Sequence, residues 1–219
     1  MTDASDPLAL ARPTEGDVLD LILDDHRRFE ALLRELRDSS ADRDAVRRAF
    51  SALHVAHAEA EESKVYPTLR RKDAIDEHEA EHGEEEHAEG HQALLAVLEA
   101  DRPEGEEFDD LVEELAGKVN HHLTEEELTI LNPAREDVSE DARRELGRAF
   151  AEERNRQLDS DCGRVENDHE ATLSTAPGSP HPGRSTPPRC APSLPGIPIP
   201  GVRAKSDHNK KETAGVAGE

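Results

Sequence analysis

Apolar positions recur at helical spacing in four stretches of this chain. The first stripe is Val18, Leu19, Ile22, Phe29, Leu33 and Leu36. The second is Val46, Phe50 and Leu53, and the third is Leu94, Leu95 and Leu98. The fourth is Phe108, Val112, Leu115 and Val119, continued by Ile130. Steps of three and four place each set on one helical face. Punctuation falls between them. Thr14 and Asp17 read as a capping box opening the first helix, and Ser39 to Asp44 reads as a polar turn. A second helix starts near Asp44, with Pro67 as its end or a kink. Lys72 to Glu86 is nearly all charge and reads as a turn and then the exposed start of a third helix. Asp101 to Gly105 is a turn. A fourth helix runs from about Glu106 to Asn132, where Pro133 breaks it. Ser139 caps a shorter fifth helix to about Leu158. Strand-like alternation is missing. The pattern predicts an all-α fold, an up-down-up-down four-helix bundle with a short fifth helix, over residues 14–158.

Composition alters this picture at the ends. Residues 1–13 read as a loose leader. Prolines crowd residues 177–200, with Gly and Ser between them. Such a stretch cannot bury enough apolar surface to order itself, so 159–219 is expected to be a disordered low-complexity tail. Both cysteines, Cys162 and Cys190, fall there, so the bundle needs no disulfide. The formal net charge is -24, most of it before residue 158. Phosphates would be repelled by such a surface, which argues against nucleic acid or anionic membrane as partner. No apolar run is long enough to span a bilayer. The N-terminus lacks the basic and apolar regions of a secretory signal. The expected location is cytoplasmic.

The stripes are interrupted in a regular way. His26 stands where the first helix calls for an apolar residue. In the second, positions 46, 50, 53, 57 and 61 share a face, so His57 and Glu61 project together. His122 and Glu126 repeat that arrangement on the fourth helix. His87 and His91 lead the apolar part of the third. A buried charge is costly unless it is paired or binds a metal. His26 and His57 lie at similar distances either side of the turn near residue 41, and His87 and His122 either side of the turn near 104. In antiparallel hairpins equal distance means equal height, so four imidazoles should meet at one level. Imidazole and carboxylate without thiolate suit iron, with manganese possible, better than structural zinc. Six or seven donors, His26, His57, Glu61, His87, His122 and Glu126 with His91 as the seventh, are too many for one tetrahedral ion. They suit two ions bridged by Glu61 and Glu126. The expected division is His26 with His57 at one ion and His87 with His122 at the other.

These residues carry a resemblance. Asp25-His26, His57 to Glu62, Tyr66-Pro67, Glu86-His87 and His121 to Glu126 appear in order on four helices. In this set the stretch from Asp17 to Asn132 resembles the hemerythrin-like HHE cation-binding domains. The resemblance implies a left-twisted four-helix bundle with a non-haem di-iron centre. It also implies binding of O2 or a related ligand, oxygen or iron sensing, or redox chemistry with peroxide or nitric oxide. The oxygen carriers themselves have an Asp five residues after the last His, and position 127 here is Glu. The Glu126 spacing is that of the bacterial HHE subgroup. His91, four after His87, resembles the carriers' paired His on the third helix.

One other motif competes. His78-Glu79-Ala80-Glu81-His82 fits the H-E-x-x-H pattern of zinc hydrolases, but its flanks are acidic and offer no apolar substrate cleft. Three functional classes follow: a di-iron protein binding O2 or a related small oxidant, an oxidoreductase acting on peroxide or nitric oxide, and an interaction module using the Pro-rich tail for a protein partner that the sequence does not name. The first is favoured. His78, His82, His121 and His54 are expected to point away from the centre, Glu62 and Glu125 to be exposed, and Tyr66 to pack over the pocket.

Overall fold

In a computed structural model, residues 8–160 and Gly163 are described. The rest of the expected tail and residues 1–7 lie outside the described residues. Seven α-helices occur among them: α1 (Val18–Arg37), α2 (Arg43–Ala60), α3 (Tyr66–Arg71), α4 (Glu77–Glu99), α5 (Glu106–Glu126), α6 (Asn132–Asp137) and α7 (Glu140–Asp159). The long rods α1, α2, α4 and α5 form the expected four-helix bundle, and no strand occurs among the described residues.

Each long helix but one starts on a side-chain cap that satisfies amide groups left over at its end. Asp17 accepts from Leu19 N at 3.0 Å; the expected box with Thr14 is not what caps α1. Asp42 accepts from Ala45 N at 3.0 Å. Asp76 and Glu79 form a reciprocal capping box at the start of α4, both bonds 2.9 Å. Ser139 caps α7. The exception is α5, which starts after Gly105 at φ 90°, a backbone conformation that suits glycine.

Pro133 does not break the helical run as expected, and Pro67, expected as an end or a kink, does not end one. A single π turn, Glu61–Val65, joins α2 to α3, and another, Glu127–Leu131, joins α5 to α6. Pro67 and Pro133 sit in the first turn of α3 and α6, where a missing N–H costs nothing. The widened turn takes up the extra residue, and the backbone stays helical from α2 into α3 and from α5 into α6. π turns of this kind are frequent at functional sites.

The fifth long helix is not short. α7 has 20 residues, as many as α1, and packs along α1 and α2. It approaches α1 so closely that a Cβ on Gly147 would lie 2.2 Å from Gly16 O. Part of the supposed leader is held here too. Asn155 Nδ2 donates to Pro13 O at 2.7 Å and Arg154 Nη1 to Ala11 O at 2.9 Å, while Leu8 and Leu10 pack on the core.

That core has two parts. One cluster holds Ile22, Val65, Leu69, Ile130 and Phe150. The other holds Phe29, Phe50, Leu53, Leu94 and Leu115. Every rod crosses from one to the other, and at the crossing each carries a histidine. His26 lies between Ile22 and Phe29, His57 between Leu53 and Val65, His87 between Ala80 and Leu94, and His122 between Val119 and Ile130. The polar level is a belt between two apolar plugs.

Candidate metal centre

The belt holds six buried side chains. His26, His57, Glu61, His87, His122 and Glu126 are all at most 4 % exposed. Ring centroids lie 5.4 Å apart for His26 and His57, 6.3 Å for His57 and His87, and 4.4 Å for His87 and His122. The expected common height is met. Glu61 Oε2 is 3.2 Å from the Nε2 atoms of both His57 and His87. Glu126 Oε2 is 3.1 Å from His26 Nε2 and 3.9 Å from His122 Nε2. Two groups of donor atoms result, each with its atoms within 4.8 Å of one another: His57, Glu61, His87 and His122, and His26, His57, Glu61 and Glu126. His57 and Glu61 belong to both, so the simple division of histidines into two pairs does not describe the site.

The inward atoms are a test of fit. His26, His57, His87 and His122 each bury an Nε2 that makes no hydrogen bond, as do both oxygens of Glu61 and Oε2 of Glu126. Buried polar atoms are nearly always satisfied, and these donors meet only one another, in imidazole–carboxylate contacts of 3.1 Å and longer; donor atoms gathered within 4.8 Å in this way fit cations. The donor set, four imidazoles and two carboxylates, fits a pair of first-row transition ions.

The outward nitrogens are all occupied. His26 Nδ1 pairs with Glu127 Oε1 at 2.9 Å, and His87 Nδ1 with Glu62 Oε1 at 2.9 Å. His57 Nδ1 pairs with Asp25 Oδ2 at 3.3 Å, and His122 Nδ1 with Glu86 Oε2 at 3.1 Å. A carboxylate on Nδ1 fixes the tautomer, aims Nε2 inward and raises its basicity. Sequence reasoning missed this layer, and Glu62, expected to be exposed, is half-buried in it. The signal was there: Asp25 and Glu86 directly precede His26 and His87, and Glu62 and Glu127 directly follow Glu61 and Glu126. The pattern is a pseudo-two-fold: Asp25-His26 on α1 corresponds to Glu86-His87 on α4, and His57 with Glu61-Glu62 to His122 with Glu126-Glu127.

One residue breaks that symmetry. Arg154 of α7, 2 % exposed, grips Asp25 with Nε at 2.6 Å and Nη2 at 2.7 Å. Among the described residues no arginine pairs with Glu86; its Oε1 faces the exposed His82 and His121 instead. Burial pushes the Asp25 carboxyl upward, but bonds from His57 and Arg154 outweigh it and hold it below its ordinary value. Burial likewise pulls the imidazoles down. Glu61 and Asp25 overcome this at His57, which is held at about 10, and Glu61 and Glu62 do so at His87, at about 9. Glu61 is correspondingly held well below the carboxylate range by His57 and His87, against burial. His122 is lowered by burial and by His87.

Three further placements differ from expectation or extend it. Tyr66 does more than pack. It stacks on His87, and its hydroxyl donates to Glu126 Oε1 at 3.3 Å; burial and the surrounding carboxylates keep it a phenol. His54 stays outside both donor groups, as expected, but is buried, against Phe29 and Phe50 and with the His91 ring at 4.7 Å. His91 stands outside both donor groups, and burial with His87 nearby lowers it to about 4. His78, His82 and His121 are exposed as expected. None of the helices is long and apolar enough to cross a membrane, among the described residues.

Comparison with known proteins accords with this geometry. The profile of the hemerythrin HHE cation binding domain matches residues 17–134. A protein of Nostoc sp. named a DNA nickase is 32 % identical over 126 residues, 56 % of this chain. The chain spans only 35 % of that protein's length. No solved structure matches.

Proposed function

We propose, for a chain that belongs to the hemerythrin HHE cation-binding domain family, a non-haem di-iron protein that binds O2 or a related small oxidant for sensing, storage or detoxification. The observation that supports this most is the gathering of buried imidazole and carboxylate donor atoms into two overlapping groups, each within 4.8 Å, between the apolar plugs. His26, His57, His87 and His122 would hold the ions through Nε2, and Glu61 and Glu126 would each supply a carboxylate to them. Two irons there supply reversible electron transfer and a place for a small oxidant to bind; manganese suits the same donors.

The chain's own residues set the conditions for that chemistry. Asp25, Glu62, Glu86 and Glu127 keep the imidazoles aimed inward. Tyr66 holds Glu126 with a phenol that stays protonated. Phe29 and Phe150 pack edge-on against the His57 ring at 5.1 Å and 6.0 Å and close the belt to water. His91 is proposed as a neighbour of the centre that does not ligate.

Metal analysis of the purified protein, with absorption spectra in air and under dithionite, tests the reading. About two irons per chain and a visible band in air that bleaches on reduction are expected, as for two bridged ions. Protein that holds no iron after reconstitution would remove the reading. Catalytic consumption of peroxide or nitric oxide would move it to the oxidoreductase class. The nicking of DNA belongs to the Nostoc protein's name, and a chain of net charge -24 is poorly suited to a polyanion.

A further inference from the structure

The competing motif of the sequence acquires a role on the surface. His78, His82 and Glu86 follow one another at four-residue steps along α4, and His121 of α5 reaches the same Glu86 carboxylate. Glu86 is 7 % exposed in its side chain, while His82 and His121 are 48 % and 63 % exposed. One Glu86 oxygen, Oε2, is taken by His122 Nδ1. The other, Oε1, is buried and makes no hydrogen bond. It lies 3.6 Å from His82 Nε2 and 3.4 Å from His121 Nε2.

Those separations are long for hydrogen bonds. Donors at bond lengths of about 2.1 Å around a tetrahedral ion stand about 3.4 Å apart along each edge. We propose that His82, His121 and Glu86 Oε1 form a third cation site, at the α4–α5 surface, for a borderline divalent ion such as Zn2+, with water completing the tetrahedron. Two imidazoles and a carboxylate select such an ion over Mg2+ or Ca2+, which prefer all-oxygen shells. The exposed imidazoles are free to turn onto the ion, and the acidic surface around them, with Glu81, Glu85 and Glu89 on the same helix, favours a cation. Lys118, the nearby base, is already paired with Glu89 at 2.6 Å. The site shares Glu86 with His122, so an ion there draws on the carboxylate that orients a donor of the buried centre.

The inference does not depend on which ions fill the buried centre, because its test reads a difference. The protein, loaded with iron as it is obtained, is dialysed against Zn2+, and zinc and iron are counted per chain. The same is done for the double variant His82→Ala, His121→Ala, whose two side chains are exposed and whose fold should persist. One zinc per chain more in the parent, at equal iron, supports the site. Co2+ in place of Zn2+ should give tetrahedral visible bands in the parent that the variant lacks. Equal zinc in the two proteins overturns the proposal. So does loss of iron along with zinc, since that would make the two histidines supports of the buried centre.

Discussion

Replacing Arg154 by Met should cost more than any other single change outside the donors. Arg154 and Asp25 are 2 % and 5 % exposed, and they share two charge-assisted bonds of 2.6 Å and 2.7 Å. Methionine fills most of the volume but leaves Asp25 buried, with His57 Nδ1 at 3.3 Å as its remaining partner among those described. Removing one member of a buried pair costs about 3–5 kcal/mol, a large share of the ~5–15 kcal/mol that holds a domain folded. With a urea slope of about 2 kcal/mol per molar, the midpoint should fall by about 2 M at pH 7. The sign with pH is fixed. Asp25 is held below its ordinary value in the fold. Its contribution is therefore present above the unfolded pKa of about 3.9 and lost as pH falls through the folded value. The gap between parent and variant should be widest at pH 7 and should narrow below about pH 4. Arg154→Lys should recover only part of it, because one ammonium cannot replace the planar fork. Asp25 also orients His57, so metal affinity should drop by about 10–100-fold. A midpoint at pH 7 that matches the parent, or a gap that stays constant down to pH 3, would refute the reasoning.

Other outcomes follow from the same geometry. His57→Ala and Glu126→Ala should each strip iron and lower the melting midpoint; unchanged iron in both by metal analysis would contradict the ligand assignment. In the metal-free protein His57 titrates at about 10 and His87 at about 9, so both carry a proton on Nε2 at pH 7. Loading metal there should release about two protons per chain, and affinity should weaken as pH falls; a pH-stat trace showing no release would be incompatible with binding at those atoms. Those two pKa values lie above the unfolded 6.5, so the metal-free fold should lose stability as pH rises from about 6.5 to about 10, measured by denaturant titration against the metal-loaded form. Gly147→Ala places a Cβ 2.2 Å from Gly16 O, a backbone atom that cannot swing aside. It should cost about 1–3 kcal/mol, and a thermal midpoint equal to the parent's would show that α7 packs on α1 more loosely than described.

What the sequence shows of this molecule depends on how far each interaction reaches along the chain. The histidine belt was legible because helical spacing and turn position set both face and height, and those are local quantities. His26, His57, Glu61, His87, His122 and Glu126 were all placed correctly in the interior. His54, rightly kept out of the donor set, is nonetheless buried, since it lies four after Phe50 and three before His57, on the same face. The carboxylates on the Nδ1 atoms were half legible. A residue next to a ligand is turned about 100° round its helix, which aims it at the neighbouring rod, but which histidine it meets there needs the packing. Arg154 had no local signal, since its partner is 129 residues away. The two π turns left none either, because proline in a helical pattern reads as a stop.

The two-fold relation of the donors has a consequence for construction. Residues 14–71 contain one half of each requirement: an inward imidazole on each rod, one shared acid, and the two acids that steady the rings. A peptide of this single hairpin, pairing with its own copy about a two-fold axis, would rebuild four imidazoles and two inward carboxylates with no need of the second hairpin. It would lack what α7 lends to one side, the Arg154 guanidinium on Asp25 and the Phe150 ring against His57, so any two ions held there should become spectroscopically equivalent.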